Sequence, residues 1–275
     1  MTAAALPSLP TSPLLPHKGK VLRYRTVWLS DIHLGTRGSR SDLLLDFLQH
    51  VEMENLFLVG DIVDGWQLKK RWYWPPEHND VIQKFLSKSR QGTKVVFLPG
   101  NHDEMARDFL GLHFGGVLVT NEIMHVTADG KRLYILHGDQ FDAVMACAKW
   151  LAHVGDVAYS ILLAVNAALN FVRRRLGFSY WSLSAYLKHK VKNAVEHISN
   201  YENFIADTAR WQQADGVVCG HIHHAEMRMI GNVLYCNDGD WVESCTALVE
   251  HADGRLEIIN WPDERDALLG ASAPS

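Results

Sequence analysis

Residues 24–33 read YRTVWLSDIH. The run 24–30 is rich in aromatic and β-branched residues and reads as a buried strand. It passes without a break into Asp31-Ile32-His33, so the strand delivers a carboxylate and an imidazole at its carboxyl end. The chain repeats this unit four more times. Strand 56–59 leads into Gly60-Asp61-Ile62-Val63-Asp64, and strand 94–98 into Pro99-Gly100-Asn101-His102-Asp103. Strand 133–136 leads into His137-Gly138-Asp139, and strand 217–219 into Gly220-His221-Ile222-His223. Helices are predicted over 41–52, with Ser41 or Asp42 as N-cap and Leu44, Leu45 and Leu48 on one face, and over 79–89. Strands alternating with helices predict a largely parallel α/β sheet, in which ligands gather at the carboxyl ends of the strands. Segments 226–230, 233–236, 246–250 and 256–260 read as antiparallel strands, with Asp253-Gly254 as a hairpin turn.

The residue types at these strand ends suit a hard or borderline divalent cation, which takes carboxylate, imidazole and amide oxygen. Seven such groups make two four-ligand sites if one carboxylate is shared. Asp61 is the expected bridge. One site is Asp31, His33, Asp61 and His223; the other is Asp61, Asn101, His137 and His221. His221 and His223 would share a face on a strand, whereas in an open loop they can serve two neighbouring ions. Two ions about 3.5–4 Å apart clamp a phosphoryl oxygen and activate water. Gly60, Gly100, Gly138 and Gly220 are expected to turn the chain through backbone angles that other residues avoid. His102, with Asp103 orienting its imidazole, is expected to stabilise charge or protonate a leaving oxygen, the alternative being a purely hydrogen-bonding role. Asp64 and Asp139 are expected to hold ligand histidines or turns, and His224 to be a bystander.

Composition narrows the class. The chain has 275 residues, nearly half of them apolar, enough for one large α/β domain. A formal charge of −4 argues against a dedicated nucleic-acid binder. Cys147, Cys219, Cys236 and Cys245 form no C-x-x-C pair and read as reduced, mostly buried thiols. Residues 1–19 hold four prolines and lack the pattern of a signal peptide, so they read as a tail, and 263–275 as a shorter one. The domain proper is expected over 20–262.

One block breaks the rhythm. Residues 141–213 read as successive helices inserted between the fourth and fifth strand ends, an expected cap over the site. Its apolar run 157–172 is shorter than the roughly 18–20 residues that span a bilayer and contains Asn166 and Asn170. With Arg173-Arg174-Arg175 behind it, the run has two readings, an interfacial helix near anionic headgroups or a buried helix with a basic end. Leu183, Leu187, Val191 and Val195 form an apolar stripe beside a polar row of Ser184, Lys188 and Lys192. That pattern fits a lid over a substrate with fatty chains and a diphosphate, or a solvated helix packed on the domain. The run Lys69-Lys70-Arg71-Trp72-Tyr73-Trp74 either lines the cleft mouth, where rings stack on a base or meet lipid, or belongs to the core.

The five motifs, in this order, resemble those of the calcineurin-like metallophosphoesterase superfamily. The resemblance implies a four-layer α/β sandwich, two mixed β-sheets flanked by helices, here with the inserted helical cap. It also implies the ligand roles given above, two divalent ions, commonly manganese, and a leaving-group role for His102. A narrower resemblance is to bacterial UDP-2,3-diacylglucosamine diphosphatases of lipid A biosynthesis. It rests on chain size, on Gly60-Asp61 followed by Trp66, on the insertion after His137-Gly138-Asp139, and on Ser184, Lys188 and Asn193-Ala194-Val195. It implies a lipid-holding lid, with Trp66, Ser184, Lys188, Lys192 and Asn193 as substrate-binding residues. The implied reaction gives UMP and 2,3-diacylglucosamine 1-phosphate in the cytoplasm, peripheral to the inner membrane. Members of that group carry GNRD where this chain has Gly100-Asn101-His102-Asp103. Two other readings stand beside it: a soluble metal-dependent phosphodiesterase or phosphoprotein phosphatase, and a binding scaffold with an inactive site.

Overall fold

The structure is a computed structural model, and it describes residues 21–142, 175 and 201–270. Twelve strands among these form two mixed sheets. The first contains β1 (Leu22–Leu29), β2 (Val51–Val59), β3 (Lys94–Leu98), β4 (His113–Phe114), β5 (Val117–Val119), β11 (Thr246–Glu250) and β12 (Leu256–Asn260). Its order is β12-β11-β1-β2-β3-β5-β4, with β1, β2, β3 and β5 parallel. The second contains β6 (Glu122–Val126), β7 (Arg132–Leu136), β8 (Gly216–Cys219), β9 (Glu226–Ile230) and β10 (Val233–Asn237), in the order β6-β7-β8-β10-β9.

Alternation along the strands divides the core into layers. Trp28, Phe57, Val96 and Leu98 of the first sheet pack against Leu133, Ile135, Val218 and Cys236 of the second. On the outer face of the first sheet, Val27, Leu29, Leu56 and Leu58 meet α1 (Ser41–His50), α3 (Pro76–Arg90) and the aromatic pair Trp241 and Trp261. On the outer face of the second, Tyr134, Val217 and Tyr235 meet Ile205, Ala206 and Ala209 of α4 (Tyr201–Trp211). Helix, sheet, sheet, helix is the four-layer order expected.

One polar group joins the sheets inside the sandwich. Glu250 of β11 is fully buried and accepts from Arg25 Nη1 (2.5 Å), Thr26 Oγ1 (2.6 Å), Ala128 N (2.7 Å) and His125 Nε2 of β6 (2.8 Å). Burial works against its charge, but these partners prevail and hold the carboxyl down at about 2.

Several boundaries differ from the sequence reading. α1 stops at His50 and Val51 already belongs to β2, because Val51 and Met53 point inward while Glu52 and Glu54 point out. The residue before α1 is Arg40, and no side chain caps that end. Pro76 begins α3, three residues earlier than expected. The stretch 263–275 is not all tail, since α5 (Trp261–Gly270) buries Trp261 and Leu268 against the first sheet's outer core. Nor is all of 141–213 a cap: α4 is an outer layer of the second sheet. The apolar run 157–172 and the row from Ser184 to Asn193 lie outside the described residues. No described helix is long and apolar enough to cross a membrane. Cys219, Cys236 and Cys245 are free and buried, as expected.

Candidate metal centre

β1 and β2 run in parallel, pairing Leu29 with Leu58, and their ladder continues beyond the strands into the two loops. Asp31 N donates to Gly60 O (3.1 Å), and His33 N to Asp61 O (2.9 Å). Two of the predicted ligand loops are thus zipped side by side. The fifth loop joins them through His221 N, which donates to Asp31 Oδ2 (2.9 Å), and the third through His102 N, which donates to Asp61 Oδ1 (2.9 Å).

The side chains gather in three overlapping groups that could hold a metal ion: Asp31, His33 and His223; His33, Asp61 and His102; Asp61, His137 and His221. Within each group the ligand atoms lie within 4.8 Å of one another. Asp61 belongs to two of the groups, as a bridging carboxylate must. His223 Nε2 lies 3.1 Å from Asp31 Oδ1, while His221 is grouped with His137. Asn101 Oδ1 and His137 Nε2 are buried and make no hydrogen bond. Orphaned buried polar atoms are costly, and a set of carboxylate, amide and imidazole ligands fits a divalent cation.

The backbone is bent to make this arrangement. Asp31, His33, Asp61, His221 and His223 all adopt positive φ, between 50° and 72°; among described non-glycine residues only Gln213 and Cys245 do the same. Left-handed backbone is disfavoured for side chains by about 1–2 kcal/mol per residue. It turns each side chain off its strand end toward the common centre. Of the four glycines expected to supply such turns, Gly60 and Gly138 do. Gly100 and Gly220 act differently, because a Cβ on Gly100 would stand 2.2 Å from Asp61 Oδ1 and one on Gly220 would stand 2.4 Å from Ser30 Oγ.

Surrounding groups orient the cluster. His137 Nδ1 donates to Val59 O (2.7 Å), which turns Nε2 toward Asp61 Oδ2, 3.4 Å away. Burial opposes a charge on His137, yet the carboxylates of Asp61 and Asp31 raise it to about 10. Against the same burial, His137 and His102 hold the Asp61 carboxyl well below its ordinary range. Asp64 stands between two imidazoles, with Oδ2 at 3.4 Å from His33 Nδ1 and Oδ1 at 3.1 Å from His102 Nδ1. Trp66 lies over His102, with ring centroids 4.3 Å apart.

The calcineurin-like phosphoesterase pattern matches residues 24–225. This chain belongs to that family. It is therefore a metal-dependent hydrolase. It is 21% identical over 253 residues to the UDP-2,3-diacylglucosamine hydrolase of Photorhabdus laumondii, covering 86% of this chain and 99% of the relative. The enzyme of the same name from Histophilus somni is 30% identical over 128 residues, 42% of this chain and 49% of the relative, so that match spans about half the relative's length. Among solved structures, an archaeal phosphodiesterase aligns over 85% of this chain and 98% of its own, at 13% identity and a TM-score of 0.40.

In this phosphoesterase the expected partner of His102 is corrected. Asp103 does not orient the imidazole. Its carboxylate is buried and accepts from Gly100 N (2.6 Å), Ile62 N (2.8 Å) and Val63 N (3.2 Å), so it clamps two ligand loops together. Burial and the charge on Asp61 push that carboxyl up to about 6. Asp139 pairs with Arg107 through both oxygens (2.8 Å each), and Arg107 also donates to Pro99 O, so the pair braces the Gly100-Asn101 turn. Of the expected substrate-binding residues, Trp66 is beside the centre and 42% exposed. Ser184, Lys188, Lys192 and Asn193 lie outside the described residues.

Three residues of the phosphoesterase site escaped the sequence reading. Ser30 Oγ lies 2.6 Å from both Asp31 Oδ2 and Asp238 Oδ1. The hydroxyl also lies 3.1 Å from Gly239 O. Burial pushes the Asp238 carboxyl well up, and Ser30 links it to Asp31. Asp142 Oδ1 lies 2.7 Å from His221 Nε2. Asp142 follows His137-Gly138-Asp139 closely, a signal within reach. Asp238 comes from the end of β10, and no spacing rule points to it.

Proposed function

We propose that this phosphoesterase hydrolyses the diphosphate of a nucleotide-linked lipid, UDP-2,3-diacylglucosamine, to UMP and 2,3-diacylglucosamine 1-phosphate. The alignment that covers 99% of the Photorhabdus laumondii hydrolase carries this reading, since it leaves no domain of that enzyme unmatched. Asp31, His33, Asp61 and His223 would hold one divalent ion, and Asp61, Asn101, His137 and His221 the other, with manganese as the native metal. Bound there, the pair supplies Lewis acidity and neutralises the diphosphate charge.

The chain's own residues do the rest. Hydrolysis breaks one P–O bond of the bridge, forms one to the oxygen of water, and leaves a phosphate oxygen that takes a proton. His102 would give it. Its Nδ1 faces Asp64, and its Nε2 faces the cluster, 4.0 Å from Asp61 Oδ2. Trp66 covers the outer side of the ring, where it both fixes the imidazole and offers an apolar wall to substrate. Ser184, Lys188, Lys192 and Asn193 would hold the substrate from the insertion. The chain would act in the cytoplasm, at the inner membrane face.

A second reading, a soluble phosphodiesterase or phosphoprotein phosphatase, is favoured by His102, which stands where the lipid A enzymes carry arginine. The manganese-loaded chain should release UMP from UDP-2,3-diacylglucosamine dispersed in detergent. Turnover of bis(p-nitrophenyl) phosphate with no UMP released would overturn the lipid reading in favour of the second. No turnover of either compound would favour an inactive scaffold.

A further inference from the structure

Residues 65–76 contain Lys69, Lys70 and Arg71 and no acidic residue, in a chain whose net charge is −4. The segment forms α2 (Gly65–Lys70) and the turn that follows it. All three cations are exposed, and none has a carboxylate within ion-pair distance among the described residues. Beside them Trp72 is 74% exposed. Neither feature is explained by packing.

The platform beneath is stiff. Tyr73 and Trp74 turn inward, edge-on to the buried ring of His78 at 5.7 and 5.4 Å. His78 Nδ1 accepts from Gly35 N (3.0 Å), on the loop that carries Asp31 and His33. The Arg37 guanidinium lies 5.1 Å from the Tyr73 ring. Leu68 fills the space against Gly35, and Trp66, on the same short helix, covers His102. Whatever Trp72 and the three cations touch is therefore held at a fixed place relative to the metal centre.

An exposed tryptophan flanked by unpaired lysines and arginine matches the interface of an anionic bilayer. There an indole sits at headgroup depth and cations meet lipid phosphates. We infer that α2 and the Trp72 turn dock on an anionic phospholipid membrane, which sets the metal centre at the bilayer surface. This rests on the lipid-substrate reading above and names the surface that reading lacks.

The test uses the full, manganese-loaded chain and co-sedimentation with vesicles of phosphatidylglycerol or of phosphatidylcholine. The unaltered chain should bind the first, not the second, and be released by high salt. The triple variant Lys69→Glu, Lys70→Glu, Arg71→Glu should lose about 10²-fold or more in partitioning, and Trp72→Ala about 10-fold. Turnover of soluble bis(p-nitrophenyl) phosphate should be unchanged in both, which shows that the fold and metal centre are intact. Failure of the unaltered chain to prefer anionic vesicles, or equal binding by the triple variant, would overturn the inference. Release of UMP from detergent-dispersed substrate needs no bilayer, so it reports separately on the substrate reading.

Discussion

Asp64 Oδ1 lies 3.1 Å from His102 Nδ1, and the same carboxylate reaches His33 Nδ1 with its other oxygen at 3.4 Å. One acid thus lies against both a metal-site imidazole and the imidazole expected to protonate the leaving group. It is itself fixed, because Oδ1 also caps α2 by accepting from Gln67 N (2.8 Å).

The first prediction follows from that geometry. Asp64→Asn should lower kcat by about 10–100-fold. His102→Ala should lower it by about 10²–10⁴-fold, with metal content unchanged. The double variant should be little worse than His102→Ala on kcat, apart from the share that acts through His33. Steady-state kinetics with metal analysis on each variant checks this. Loss of metal in His102→Ala would count against its assigned role.

The Asp64 result also shows where sequence reading stops. Five strand-end motifs were legible because each is local: a strand, a glycine or proline, then ligand-type side chains. Parallel pairing joins the ends of β1, β2 and β3 in one sheet and those of β7 and β8 in the other, and face-to-face packing of the sheets brings the two sets together. The partner of His102 was not legible. Asp103 is its chain neighbour, but its carboxylate is taken by three backbone N–H groups, while Asp64 arrives from another loop. Adjacency in sequence says little about contact once the backbone turns through positive φ. The early start of β2 was legible in principle, since Val51-Glu52-Met53-Glu54 alternates with period two. The residues expected to grip substrate from the insertion are a proposal that rests on resemblance.

Ser30 gives a second prediction. Its hydroxyl lies within hydrogen-bond distance of both Asp31 and Asp238. Ser30→Ala should weaken binding at the Asp31 site by about 10–100-fold. Titration of metal-free protein with manganese should show this, and activity should return at high metal. An unchanged titration would mean that Asp31 needs no such support.

Glu250 gives a pH dependence. Its folded carboxyl, at about 2, lies below its ordinary 4.5. Between these values the unfolded state binds more protons than the folded one. The stabilisation is therefore fully present above about 4.5 and is lost as pH falls toward 2, with a size of roughly 3 kcal/mol. Urea unfolding should find Glu250→Gln less stable than the unaltered chain at pH 7, with the gap closing below pH about 3. A gap that persists at low pH would show that the effect comes from packing, not charge.

The centre as a whole depends on Asp61, the carboxylate common to two of the three ligand groups. Elemental analysis of metal-saturated, desalted protein tests this most directly. The account predicts about two ions per chain for the unaltered protein and essentially none for Asp61→Ala, with an unchanged circular dichroism spectrum and no turnover. Retention of both ions by Asp61→Ala would contradict it.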